Sequence, residues 1–203
     1  MFPLGNVLFP RAVMPLHVFE PRYRVMMRHC LDGDGEFGVV LIERGSEVGG
    51  GDTRFDTGTL ARIVHANELP DGRYAITAVG IRPIRVVQWL PDDPFPIAEI
   101  DDDADATASE LPADDLSPAR DRVIVAFEGV LELWHQLDAR VPTTAPPPTA
   151  DVVQDLFFVA ASAPLGPLDA QRVLEAPLDT RGLVLERALL DLAEELRGRI
   201  ALG

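Results

Sequence analysis

The chain has no lysine; all eighteen of its Lys-plus-Arg residues are arginine. That absence excludes several chemistries. A phosphate-cradling Walker A loop needs its Lys. Schiff-base formation and Ser–Lys dyads need an amine of tunable pKa, which an always-charged guanidinium does not replace. Serines number four, and none sits in a G-x-S-x-G elbow. A single cysteine, Cys30, excludes an intramolecular disulfide. No stretch approaches the roughly 18 consecutive apolar residues of a membrane span. The apolar N-terminal stretch lacks a basic region before it and is broken by prolines, which argues against a signal peptide. The cytoplasm is therefore the expected location, and no membrane partner is expected.

What is present reads as a globular protein: 203 residues, 47% hydrophobic and 25% charged. The formal net charge of −15 argues against a general nucleic-acid partner, because affinity there comes from neutralising phosphates. From Glu99 to Asp115 there are eight acidic residues and no basic one.

Residues 1–100 read as a β-rich lobe. Extended runs are expected at Pro15 to Phe19, Phe37 to Glu43, Thr57 to Glu68, Tyr74 to Val79, Ile81 to Leu90 and Ile97 to Ile100. The Pro70–Asp71–Gly72 turn predicts a hairpin, and Pro83 favours an edge or a bulge. One helix interrupts the strands, opened by Pro21 and ended by Gly33, with Val25, Met26, Cys30 and the stem of Arg22 facing inward. Residues 101–118 read as an acidic linker. Residues 119–203 read as a helical lobe. Its helices are Ala119 to Leu137, Asp151 to Ala163, Leu168 to Ala176 and Thr180 to Ile200. The run TTAPPPT, Thr143 to Thr149, must break the chain.

The motifs that invite chemistry have plainer readings. In DGDGEF, Asp32, Asp34, Glu36 and Glu43 fall at calcium-loop positions 1, 3, 5 and 12, but Phe37 stands where that loop needs Gly, so a helix-to-strand turn is expected. The glycines Gly49 to Gly51 lack a following helix and a Lys, and read as a hairpin loop. His17, His29, His65 and His135 match no zinc spacing and read as structural or surface histidines. Cys30, on an apolar helix face, reads as core. No catalytic residue, metal or cofactor is expected. What remains is the proline-stiffened apolar loop Val7, Leu8, Phe9, Pro10, Val13, Met14 and Pro15. It either folds onto its own lobe or offers an exposed contact surface.

These residues carry a family pattern. FPLGNVLFPRAVMPLHVFEPRYRVMMRHCL resembles the opening of the Lon protease N-terminal, or LON substrate-binding, domain family. The likeness continues through FGVVLIERGSEVGGG, TGTLARIVHANELPDGRYAI and AVGIRPIRV to AASAPLGPLDAQRVLEA. It departs at Arg11, where the family usually has Gly after L-F-P. The resemblance implies an α+β fold: a PUA-like antiparallel β pseudobarrel with one inserted helix, then a C-terminal helical bundle. It implies a stand-alone form without ATPase or peptidase domains, hence a non-catalytic module that binds unfolded or extended polypeptide. An ATPase or protease acting in trans is a partner it allows. The expected contact residues are Leu8, Phe9, Pro10, Val13 and Met14, together with the barrel-to-bundle cleft. Phe9→Ser or Met14→Ser would then weaken client binding with little loss of Tm. The alternative is a PUA-like small-ligand or RNA-binding module using Arg22, Arg62 or Arg85, with Arg22 better suited to an internal bond.

Overall fold

The computed structural model of the chain describes residues 1–47, 49, 51–101 and 113–202. They fall into two compact units, Met1–Ala104 and Asp105–Gly203. The first holds β1 (Phe2–Leu4), β2 (Val13–Val18), α1 (Pro21–Asp32), β3 (Glu36–Arg44), β4 (Thr53–Glu68), β5 (Tyr74–Leu90) and β6 (Ile97–Asp101). The second holds α2 (Ala113–Leu137), α3 (Val152–Ser162), α4 (Pro167–Glu175) and α5 (Leu178–Leu202).

The sheet runs in the order β1-β3-β4-β5-β2, with β6 added on β5. It is mixed rather than wholly antiparallel, because β1 pairs in parallel with β3. The chain passes through β2 and α1 before returning as β3, and a crossover of that length is what a parallel pair requires. The two extended runs expected at 74–79 and 81–90 are one strand, β5. Its first part pairs with β2 and its last part with β6. Pro83 lies between those two segments, where a missing N–H interrupts neither ladder. The register against β4 slips between Arg82 and Gly80, leaving Ile81 as the bulged residue.

Helix α1 starts with Pro21 at its first position, where the absent N–H is an orphan anyway. Its buried face is Tyr23, Met26, Met27 and Cys30, a helical stripe. Val25, expected inward, is exposed, because it lies two residues from both Tyr23 and Met27 and so on the opposite side. The DGDGEF stretch forms the turn from α1 into β3, with Gly35 at φ 73°.

The apolar loop after β1 folds inward. The Leu8 carbonyl accepts a hydrogen bond from Thr59 Oγ1 at 2.5 Å. Arg11 N donates to Gly80 O at 2.7 Å and Gly80 N to Ala12 O at 3.0 Å. A Cβ on Gly80 would lie 2.3 Å from the Phe9 carbonyl oxygen, so only glycine lets the loop sit this close. At the turn of this loop Arg11 has φ 63°. A glycine at this position would have a backbone reason, since the left-handed region costs other L-residues roughly 1 kcal/mol. Arg11→Gly is expected to stabilise the protein by about 0.5–1 kcal/mol, measured as a higher urea midpoint. A lower midpoint would show that the Arg11 side chain contributes more than the backbone strain removes.

In the second unit α2 packs on α3 and α5. Val123, Phe127, Val130 and Leu131 are buried, Trp134 is half-buried and Leu137 is exposed as the helix runs out. On α5 the buried leucines are Leu178, Leu185, Leu189 and Leu196; Leu183 is exposed and Leu192 is half-buried. The Asp151 side chain caps α3 by accepting from Gln154 N at 3.0 Å. Residues 141–150, with their three consecutive prolines, form no helix or strand. Of the acidic stretch read as a linker, Asp101 closes β6 and residues 113–118 belong to α2, while 102–112 lie outside the described residues.

Candidate polypeptide-binding face

The sheet path ends in two edges, β1 and β2, each paired on one side only. Both line a single cavity of about 180 Å³. It is lined by Phe2 and Leu4 of β1, Leu16 and Val18 of β2 and Tyr23 of α1. The cavity therefore lies at the seam where the curled sheet does not close by hydrogen bonds. Phe2 packs with tilted rings against Tyr23, at 4.4 Å between centroids, and against Phe37, at 6.1 Å. Burial pushes the Tyr23 phenol up to about 12, so it stays protonated.

Strand alternation decides which side chains of β2 are available. Val18 is buried, Met14 and Leu16 are half-buried, and Val13, Pro15 and His17 point outward. Phe19 continues the outward series and is 50% exposed; Val13 is 65% exposed. The His17 and Phe19 rings lie 6.3 Å apart. The result is an apolar stripe along a sheet edge, opening at its Phe19 end onto the seam cavity. Pro15 is one reason the edge does not simply recruit another strand, since it lacks a ladder donor.

An electrostatic clasp closes the rim. Arg22 lies over the Tyr23 ring at 4.4 Å, pairs with Glu20 at 3.3 Å, and donates to the Glu47 carbonyl at 3.4 Å. Glu47 in turn accepts from Gly5 N at 2.5 Å, tying the chain after β1 to the loop after β3. Arg22 is thus spent on internal contacts. Arg62 pairs with Glu36 at 2.6 Å, and Arg85 is exposed on β5. The described residues do not bring these three arginines into one basic patch around a pocket.

The expected contact residues divide. Leu8, Phe9 and Pro10 are buried and therefore lie beneath the surface rather than on it. Their burial follows from the close approach at Gly80. Val13 is exposed and Met14 is half-buried against the core. His17 and Phe19 were not among the expected contacts; the alternation in PLHVF was the available signal. Cys30 is buried and its thiol is pushed up by burial, which keeps it protonated and unreactive. No group of three or more His, Cys, Asp or Glu residues able to hold a metal occurs among the described residues. No described helix is long and apolar enough to cross a membrane.

A family model described as the ATP-dependent protease La (LON) substrate-binding domain matches residues 1–181. The chain belongs to the LON substrate-binding domain family. Lon protease 2 of Myxococcus xanthus is 32% identical over 112 residues, which is 54% of this chain and 14% of that protein. A LON peptidase N-terminal domain and RING finger protein of Schizosaccharomyces pombe is 27% identical over 121 residues, 54% of this chain and 25% of that protein. The chain thus corresponds to a minor part of these longer relatives. The crystal structure of a Lon N-terminal domain protein from Xanthomonas campestris covers 93% of this chain and 95% of its own, with a TM-score of 0.59 and 25% identity. The α+β architecture, with its curled mixed sheet followed by helices, is that of these LON domains. The matched family is defined by substrate binding, not by a peptidase or ATPase centre.

Proposed function

We propose that the chain is a non-catalytic recognition module that holds unfolded or extended polypeptide on the outer face of β2, at the mouth of the seam cavity. The observation that carries this reading is the exposed stripe Val13–Phe19 at an open sheet edge, in a family described by substrate binding. Covering an exposed Val or Phe is worth roughly 1–3 kcal/mol per side chain, and apolar burial is non-directional. Such a face binds weakly and tolerates many sequences, as recognition of unfolded segments demands. Its proposed setting is the cytoplasm, with an ATPase or protease acting in trans on what it holds. The arginine-based alternative has less support, because Arg22 and Arg62 already have acidic partners and the net charge is −15.

The double variant Val13→Ser with Phe19→Ser is expected to weaken binding of an unfolded test protein such as reduced casein by about tenfold or more. Both side chains are exposed, so Tm should move by only a few degrees, about 2–4 °C per kcal/mol lost in a chain of this length. Unchanged affinity in a folded variant would remove this face from the reading.

A further inference from the structure

The outer edge of β2 offers backbone as well as side chains. A turn delivers the chain to it, with Ala12 N donating to Phe9 O at 3.1 Å. Arg11 N then donates to Gly80 O at 2.7 Å, and Gly80 N to Ala12 O at 3.0 Å. Arg11, at φ 63°, and Ala12 thus oppose the single residue Gly80, which makes this a β-bulge. From there the register runs without a slip, from Val13 opposite Val79 to Val18 opposite Tyr74.

That anchor fixes the direction of every backbone group on β2. In an antiparallel pair the N–H and C=O of one residue point to the same side, and the side alternates along the strand. The Ala12 carbonyl turns to β5, so the groups of Met14, Leu16 and Val18 do too. Val13, Pro15 and His17 turn theirs away from β5. Among the described residues β2 pairs with β5 alone, and no loop or side chain bonds the backbone of these three. Val13 and His17 each leave an N–H and a carbonyl unpaired, and Pro15 a carbonyl, at steps of about 7 Å along the strand. Open space lies beside them, since Pro15, Leu16, His17, Val18 and Phe19 all line the seam cavity.

We infer that this edge takes its client as an added β-strand, so that the substrate class is a short extended segment with free backbone amides. The inference rests on the proposed reading of β2 as the client face, and adds how the client is held. Client N–H groups meet the carbonyls of Val13, Pro15 and His17; client carbonyls meet the N–H groups of Val13 and His17. Main-chain bonds read no sequence, and one face of the added strand lies beside the outward side chains of the same three residues. Tolerance of sequence is thereby joined to a demand for extended shape. Pro15 withholds one donor, so the ladder has a gap, which suits a short, reversible addition rather than continuous sheet growth. A second copy of this chain is a poorer occupant. Two β2 edges paired about a twofold axis at Pro15 would set two carbonyls face to face with no donor between them.

The test uses the full chain, labelled with ¹⁵N, and a capped peptide of alternating Thr and Val about six residues long, the length of a typical strand. Its control has the same side chains with every central amide N-methylated, which removes the donors. The unmethylated peptide is expected to slow hydrogen exchange of the Val13 and His17 amides about fivefold or more. The Met14 and Leu16 amides, already turned to β5, should exchange as before. The N-methylated peptide should bind about tenfold more weakly or worse. His17→Pro removes an outward donor without touching the β5 ladder, and should weaken the peptide about fivefold more than His17→Ala, which keeps the N–H. Unchanged exchange at Val13 and His17 in millimolar peptide overturns the inference, as does equal affinity of the N-methylated peptide, or equal affinity of His17→Pro and His17→Ala. Protection of these amides that rises with protein concentration in the absence of peptide assigns the edge to a second copy and overturns it too. If Val13→Ser with Phe19→Ser loses casein while no client slows exchange at Val13 and His17, the apolar face stands and strand addition fails.

Discussion

Replacing Phe9 by serine is expected to destabilise the protein by about 3–5 kcal/mol, the range found for deleting a buried aromatic ring. Phe9 is 3% exposed, in a loop locked to β5 by reciprocal hydrogen bonds around Gly80. The substitution removes the ring's contacts, leaves a cavity, and buries a hydroxyl that must find a partner. The sequence-based expectation was the reverse: an exposed side chain whose loss would spare Tm. Urea unfolding checks the point directly. Val13→Ser is the control on the same stretch; at 65% exposure it should change stability by about 0.5 kcal/mol or less. If Phe9→Ser unfolds within about 1 kcal/mol of wild type, the ring is not part of the packed interior.

Arg181→Ala is expected to cost about 3–5 kcal/mol in the helical unit. Arg181 is 1% exposed, and its guanidinium lies over the Phe157 ring at 4.7 Å. Its Nε donates to Val173 O at 3.3 Å and its Nη2 to Leu174 O at 3.5 Å. Those carbonyls belong to the last turn of α4, where backbone acceptors have no partner within the helix. Arg181 therefore caps α4 from the first turns of α5 and sets a positive charge at its negative end. Alanine would strand the carbonyls and forfeit the ring contact. Arg181→Lys keeps the charge but not the fork, and should recover only part of the loss. The measurement is denaturant unfolding followed through Trp134 in the same unit. A loss below about 1 kcal/mol for Arg181→Ala would show that water replaces the guanidinium at little cost.

Much of the fold was legible because it rests on local rules. Pro21 opens α1 as its fixed φ favours, and the helix ends just before Gly33, which at φ −109° does not use the left-handed conformation open to glycine. The Pro70–Asp71–Gly72 turn joins β4 to β5, with Gly72 at φ 75°. Thr143 to Thr149 breaks the helical lobe because prolines cannot continue a helix. The parallel β1–β3 pair was not legible, since strand direction is decided by a partner about 37 residues away along the chain and leaves no mark on three residues of sequence.

The candidate binding face shows the same division more sharply. LFPRAVMPLHVF carries enough exposed-looking apolar residues to announce a contact surface, and the family pattern names its kind. Which of them reach the surface is another matter. Composition and period could place Val13, Pro15, His17 and Phe19 on one side of a strand, because alternation is intrinsic to an extended chain. They could not place Leu8 and Phe9 inside. That outcome depends on Gly80, some seventy residues later in the chain, having no Cβ where the Phe9 carbonyl comes to rest. Arg181 is hidden for the same reason: a charged residue in a helix reads as solvated until the fold brings Phe157 and the end of α4 against it. By itself the sequence determined most of the elements, the lysine-dependent chemistries it excludes and the family. The tertiary structure alone decided which apolar side chains are spent on the core and which remain exposed, because burial is a property of contacts between distant segments and not of any residue within its own.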